Sequence, residues 1–259
     1  MTPERRAWLA ALTPARVALS RAGGSLTTAD RLALRADHAQ ARDAVRHSFD
    51  APAVEATLRE LGLASVSVQS AATDRDEYVR RPDRGRTLAD RDRRSLSDLS
   101  SPGCDLAIVL CDGLSPGAVE HAGPALAAAI TAHPSLRDLS SSEVVIVSNG
   151  RVAIGDEVGA LLQATLVVVV IGERPGLSVP ASLGVYITHG PRVGRTDAER
   201  NCISNIHPHG LGIDEAALRV AEVIVEATAH GVTGVALGAE PARAGQPFGI
   251  SGVGVHEPR

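Results

Sequence analysis

The chain has 259 residues, of which 44% are hydrophobic and 22% charged, enough apolar material for a buried core and outside the disordered, collagen-like and low-complexity classes. All 26 positive residues are arginines, set against 30 acids for a net charge of −4, which excludes lysine Schiff-base chemistry. With aromatic residues at only 2% and scattered singly, the stacking surfaces and basic footprint of a nucleic-acid binder are missing too.

The amino terminus turns polar again by Thr13-Pro14-Ala15-Arg16 and lacks the apolar stretch of a secretory signal. The longest strongly apolar run, Leu166–Ile171, is far short of the roughly 18 to 20 residues of a membrane span. These features predict a cytoplasmic chain with no membrane segment. Cys104, Cys111 and Cys202 have no CxxC spacing, so neither a disulfide framework nor a structural zinc site is expected.

Thr27-Thr28-Ala29-Asp30 offers an N-cap for a helix over 30–47, and Asp50-Ala51-Pro52 starts another that ends at Leu61-Gly62. Residues 64–69 alternate like a strand. Residues 75–94 then hold eight arginines and five acids, a pattern read either as a solvated loop or as a docking surface for a partner or an anionic ligand. From Cys104 the texture changes. Apolar runs at 106–110, 144–147, 166–171 and 184–188 predict strands, and those apolar on both faces predict buried parallel strands. Helices are expected over 116–133, 156–164 and 214–230, the last stopped by Gly231. The expected fold is therefore α/β, a Rossmann-like, doubly wound parallel sheet over 101–259 with an N-terminal, mainly helical region over 1–100.

In such sheets ligands bind beyond the carboxyl ends of the strands. Those ends are Asp112-Gly113, Asn149-Gly150-Arg151-Val152, Glu173-Arg174-Pro175 and the loop that holds Cys202. No GxxxxGK[ST] occurs, and no GxGxxG joins a strand to a helix, so an ordinary ATP or NAD site is poorly supported. Cys202 with His207 and His209 is open to three readings: a thiol nucleophile with its base, part of a metal site, or a cysteine packed beneath a ligand. Glu173 is either a solvated strand end or an acceptor for hydroxyl and amide donors. Asp112 and Asn149 are each read as helix caps or ligand contacts.

Five segments in order, Ala15–Ser25, Asp37–Val45, Tyr78–Arg86, Val170–Leu177 and Arg200–His207, resemble the signature segments of the small subunit of ethanolamine ammonia-lyase. The resemblance implies pairing with a large TIM-barrel subunit in a hetero-oligomer, with adenosylcobalamin held between the two chains. It also implies a radical conversion of ethanolamine to acetaldehyde and ammonia in which the catalytic side chains belong to the large subunit and none to this one. Cofactor contacts carried over from the family fall on Val152, Glu173 and Cys202. An Asp-x-His-x-x-Gly motif is absent, in keeping with base-on binding, which leaves His207 and His209 without a role at cobalt. Few residues precede the first family segment, favouring free cytosol over a bacterial microcompartment. The arginine-rich 78–86 segment and the 30–47 helix are then candidate contacts with the large subunit. Two rival readings remain: a stand-alone Rossmann-like hydrolase using Cys202 and His207, and a purely structural subunit.

Overall fold

The computed structural model describes residues 3–12, 21–22, 25–98 and 103–239. Most of the Ala15–Ser25 segment, part of the textural boundary at 95–103 and residues 240–259 lie outside the described residues. In chain order the elements are α1 (Pro3–Leu12), β1 (Arg21–Ala22), β2 (Ser25–Leu26), α2 (Thr28–Arg46), α3 (Ala51–Glu60), β3 (Ser65–Gln69), α4 (Arg75–Arg80), α5 (Asp90–Asp98), β4 (Cys104–Cys111), α6 (Pro116–Thr131), β5 (Val144–Ser148), α7 (Ile154–Leu161), β6 (Ala164–Gly172), β7 (Leu183–His189), β8 (Asn201–Ile206), α8 (Ile213–His230) and α9 (Val235–Ala239).

Local chemistry sets several of these boundaries. The Thr27 hydroxyl accepts from the Asp30 amide at 3.2 Å to open α2, and the Asp50 carboxylate accepts from the Ala53 amide at 3.0 Å to open α3. At the other end of the chain, Gly231 closes α8 in the left-handed region with φ +69°.

Six strands form one mixed sheet in the order β3-β5-β4-β6-β7-β8. The first four run parallel, so β3, from the N-terminal side of the textural boundary, is an edge strand of the same sheet as β4 to β6. Alternate strand residues supply two cores. Ile108, Leu110, Ile146 and Val168 pack under α3, α6 and α8, whereas Val109, Val145, Val147 and Val167 pack under α5 and α7. The sheet is thus covered by helices on both faces.

Three expectations need correction. The strand expected over 184–188 is not parallel to its neighbours: β7 runs antiparallel to β6, because the ten residues 173–182 contain no helix and are too short for a parallel crossover. The loop expected around Cys202 is a strand, β8, antiparallel to β7, and its edge position and mixed polarity hid it from the apolar pattern. The arginine-rich 75–94 run is no solvated loop. It folds into α4, a 3₁₀ turn at Arg84–Arg86 and the start of α5. Glu157 at the start of α7 anchors it, accepting from the Leu88 amide at 2.8 Å and from Arg93 Nε at 2.5 Å.

Candidate functional site

The four parallel strands end on one side of the sheet, and α6 and α7 leave it on opposite faces. The ends of β4 and β6 meet through two glycines. The Leu114 amide donates to the Gly172 carbonyl at 2.9 Å, and a Cβ on Gly113, whose φ is +56°, would lie 2.2 Å from that same oxygen. A Cβ on Gly172 would in turn lie 2.2 Å from the Ser115 carbonyl. On this floor sits an open cavity of about 410 Å³, bounded by Leu114 after β4, Val152 after β5, Ile171 and Glu173 at the end of β6, Tyr78 of α4 and Tyr186 of β7.

A buried polar cluster forms the wall beside β5. Arg75 Nη1 donates to Asp112 Oδ2 at 3.0 Å and Arg75 Nε to the Val45 carbonyl at 2.6 Å, while Asp112 Oδ1 accepts from the Gly150 amide at 3.0 Å. Burial pushes the Asp112 carboxyl up to about 6, against the opposing charge of Arg75. Asp112 is therefore committed to Arg75 and the β5 loop, and neither caps a helix nor lines the cavity. Asn149 is similarly a turn residue, with φ +58° and its carbonyl accepting from Ser70 Oγ at 2.7 Å.

Arg75 and Arg151 both lie over the Tyr78 ring, 4.6 Å and 4.3 Å from its centroid. Arg151 Nη2 also donates to the Tyr78 carbonyl at 3.3 Å, and the Arg151 amide to the Gly85 carbonyl at 2.7 Å, which ties the 78–86 segment to the β5 loop. Gly85 is needed there because a Cβ would stand 2.9 Å from Arg151 Cγ and 3.1 Å from the Tyr78 ring. The Tyr78 hydroxyl and Arg151 Nε are buried without a hydrogen-bond partner among the described residues, and burial raises the phenol well above its usual range.

On the opposite wall, Glu173 Oε2 accepts from Ser182 Oγ at 2.6 Å and from the Asn205 amide at 3.4 Å, whereas Oε1 makes no hydrogen bond among the described residues. Tyr186 and Cys202 are directly paired across β7 and β8. Burial and the neighbouring Cys202 push Tyr186 up to about 12. Cys202 is exposed as a residue, yet desolvation of its thiol pushes it up, and the neighbouring phenol works against that by favouring the thiolate. Val152 and Glu173 thus border the same cavity, and Cys202 joins it through Tyr186.

The Cys202–His207 dyad is not formed. His207 Nε2 is bonded to Asn205 Oδ1 at 2.8 Å, its Nδ1 accepts from the His209 amide at 3.2 Å, and the raised thiol runs opposite to what an activated nucleophile needs. No group of three or more His, Cys, Asp or Glu side chains among the described residues is arranged to hold a metal ion. Sequence reasoning passed over Tyr78, Arg151 and Tyr186. A signal for two of them was present, since the chain has only two tyrosines and both border this cavity.

A second cavity of about 420 Å³ lies beside the first, sharing Arg151, Val152 and Tyr186 and adding Arg86, Arg195 and Arg200. Arg200 is held by a buried fork to Asp156, with Nη1 2.5 Å from Oδ1 and Nη2 2.7 Å from Oδ2. No helix among the described residues is long and apolar enough to cross a membrane.

Against this geometry the similarities to known proteins are direct. The family described as "Ethanolamine ammonia-lyase light chain (EutC)" matches residues 3–238. The chain is 50% identical over 226 residues to the ethanolamine ammonia-lyase small subunit of Rhodopseudomonas palustris (strain BisA53), covering 87% of each chain. It is 50% identical over 241 residues to that of Xanthomonas campestris pv. campestris (strain ATCC 33913), covering 91% of this chain and 89% of the relative. With the small subunit of Bradyrhizobium diazoefficiens it shares 49% over 245 residues, 94% of each chain. With a family match over nearly its whole length and relatives at half identity, the chain belongs to the ethanolamine ammonia-lyase small-subunit family.

Proposed function

We propose that this chain is the small subunit of an adenosylcobalamin-dependent ethanolamine ammonia-lyase, forming one side of the cofactor site and leaving substrate chemistry to a large TIM-barrel subunit. The observation that carries the reading is that Val152 and Glu173, from the ends of two different parallel strands, border one cavity, with Cys202 linked to it by Tyr186. The donor set suits a corrin, an apolar macrocycle rimmed with amides. Leu114, Val152 and Ile171 offer apolar surface, and Glu173 Oε1 is an acceptor without a hydrogen-bond partner among the described residues. Cavities of about 410 and 420 Å³ suit one edge of so large a group, which calls for a second chain to cover the rest.

When bound, the cofactor supplies the radical chemistry that turns ethanolamine into acetaldehyde and ammonia. The residues of this chain bind and orient it and keep water from its edge. In this reading the fold is Rossmann-like, the chain works in the cytoplasm, residues 101–259 carry the cofactor side and residues 1–100 the large-subunit contacts. Support for the last point comes from α2, none of whose residues is buried, and from the groove between α2 and α4 bordered by Arg42, Arg46, Arg75 and Arg80. Arginine forks at such a groove fit carboxylates of a partner.

The test is acetaldehyde release from ethanolamine with adenosylcobalamin, using this chain alone, the cognate large subunit alone and the two co-expressed. Activity confined to the pair supports the assignment. Turnover by this chain alone, or full turnover by the large subunit without it, overturns it.

A further inference from the structure

The second cavity carries more charge than its surroundings account for. Four arginines border it, Arg86, Arg151, Arg195 and Arg200, against one acid, Asp197, whose side chain is 94% exposed. Two of the four are neutralised: Arg195 pairs with Glu199, and Arg200 with Asp156. Arg86 and Arg151 belong to none of the ion pairs within 4 Å among the described residues, while the neighbouring arginines Arg84 and Arg93 pair with Glu77 and Glu157. Arg200, whose side chain is 2% exposed, has its Nε 3.6 Å from Asp197 Oδ1, whereas the buried Arg151 Nε has no hydrogen-bond partner among the described residues. Two guanidinium groups without a carboxylate partner and one unused buried N–H donor on residues that border one cavity make a receptor for a single anion. Arginine forks match the geometry of phosphate oxygens.

The cavity lies beside the first and shares Arg151, Val152 and Tyr186 with it, so an anion here would be next to a ligand held by Val152 and Glu173. Resting on the cofactor reading given above, we propose that this cavity is a phosphodiester subsite, in which Arg151 holds the phosphodiester that links the corrin to its nucleotide base and Arg86 closes over it from the rim. Adjacent residues of one loop then divide the work: Val152 packs against the ring and Arg151 binds the anion beside it.

The test measures binding of two corrinoids by the assembled two-subunit complex: cyanocobalamin, which carries the phosphodiester, and dicyanocobinamide, which ends before it. Arg151→Met is expected to weaken cyanocobalamin about 10- to 100-fold, the range for a lost charge-assisted hydrogen bond, and to leave dicyanocobinamide within about twofold. Arg86→Met, on an exposed side chain, is expected to show the same selectivity at a few-fold, and it carries the test if Arg151→Met fails to assemble. Inorganic phosphate is expected to compete with cyanocobalamin and not with dicyanocobinamide. Equal losses for both corrinoids, no loss for either, or saturable phosphate binding that persists under saturating cyanocobalamin overturns the subsite. Weakened assembly of the two chains without corrinoid selectivity overturns it as well, assigning the arginines to a partner carboxylate. If the wild-type complex binds neither corrinoid, the cofactor reading itself fails.

Discussion

Arg75 and Asp112 form a 3.0 Å ion pair in which the aspartate side chain is 1% exposed and the arginine side chain 15%. The pair joins α4 to the end of β4, so the arginine-rich segment is locked onto the strand ends that border the cavity. Burial outweighs the attraction of Arg75 and sets the Asp112 carboxyl at about 6 in the folded chain, above the roughly 3.9 of an unfolded aspartate. The folded state therefore binds this proton more tightly than the unfolded state. Its stabilising contribution is complete below about pH 4 and is lost as the pH rises through about 6, an effect on the order of 3 kcal/mol. Urea unfolding between pH 4 and 7 is expected to show that slope, and Asp112→Asn to remove it; an unchanged slope in the variant would exclude Asp112 as its source.

Removing Arg200 leaves the Asp156 carboxylate, 2% exposed, without its counter-ion. Arg200→Met is expected to cost about 3 to 5 kcal/mol of stability, because an uncompensated buried charge is worse than no pair. The double variant Arg200→Met/Asp156→Leu is expected to recover part of that loss. Strictly additive losses would show that the two residues do not act as a pair.

The two glycines at the cavity floor are predicted to be costly to replace. Gly172→Ala places a methyl 2.2 Å from the Ser115 carbonyl, and the required backbone shift is expected to cost about 3 kcal/mol. Gly238→Ala in α9, where nothing lies within 4 Å, is expected to change stability by less than about 1 kcal/mol, in the stabilising direction. Thermal melts of the two variants check the contrast in sign.

Tyr186→Phe removes the phenol that favours the Cys202 thiolate and leaves the desolvation of the thiol in place. The pH midpoint for alkylation of Cys202 by iodoacetamide, read by mass spectrometry at that residue, is expected to move upward. A downward shift would mean that the phenol suppresses the thiolate.

Much of this architecture was legible in the sequence because it rests on signals of the right period. The continuous apolar runs at 106–110, 144–147 and 166–171 are strands paired on both edges and covered on both faces, and they contain no polar residue to confuse the pattern. β8 was illegible for the converse reason: Asn201-Cys202-Ile203-Ser204-Asn205 reads as a polar loop, and only pairing with β7 makes it a strand. The antiparallel turn into β7 follows from the length of the 173–182 connection, a signal that was present and unused. At the site, topology singled out the strand ends that hold Val152, Glu173 and Cys202, and the family resemblance picked these three residues from them. Tyr78, Arg75 and Asp112 depend on contacts across more than thirty residues of chain, which no local pattern encodes.

The central claim is that this chain supplies part of the corrinoid site, and the most direct measurement is the affinity of the co-expressed pair for cyanocobalamin by equilibrium dialysis, with the large subunit alone and the Glu173→Ala pair alongside. The account predicts tight binding by the wild-type pair, much weaker binding by the large subunit alone, and a loss of about 1 to 3 kcal/mol for Glu173→Ala, the cost of removing one hydrogen-bond partner from a buried polar contact. Equal affinity in all three preparations would contradict it and leave this chain a purely structural subunit.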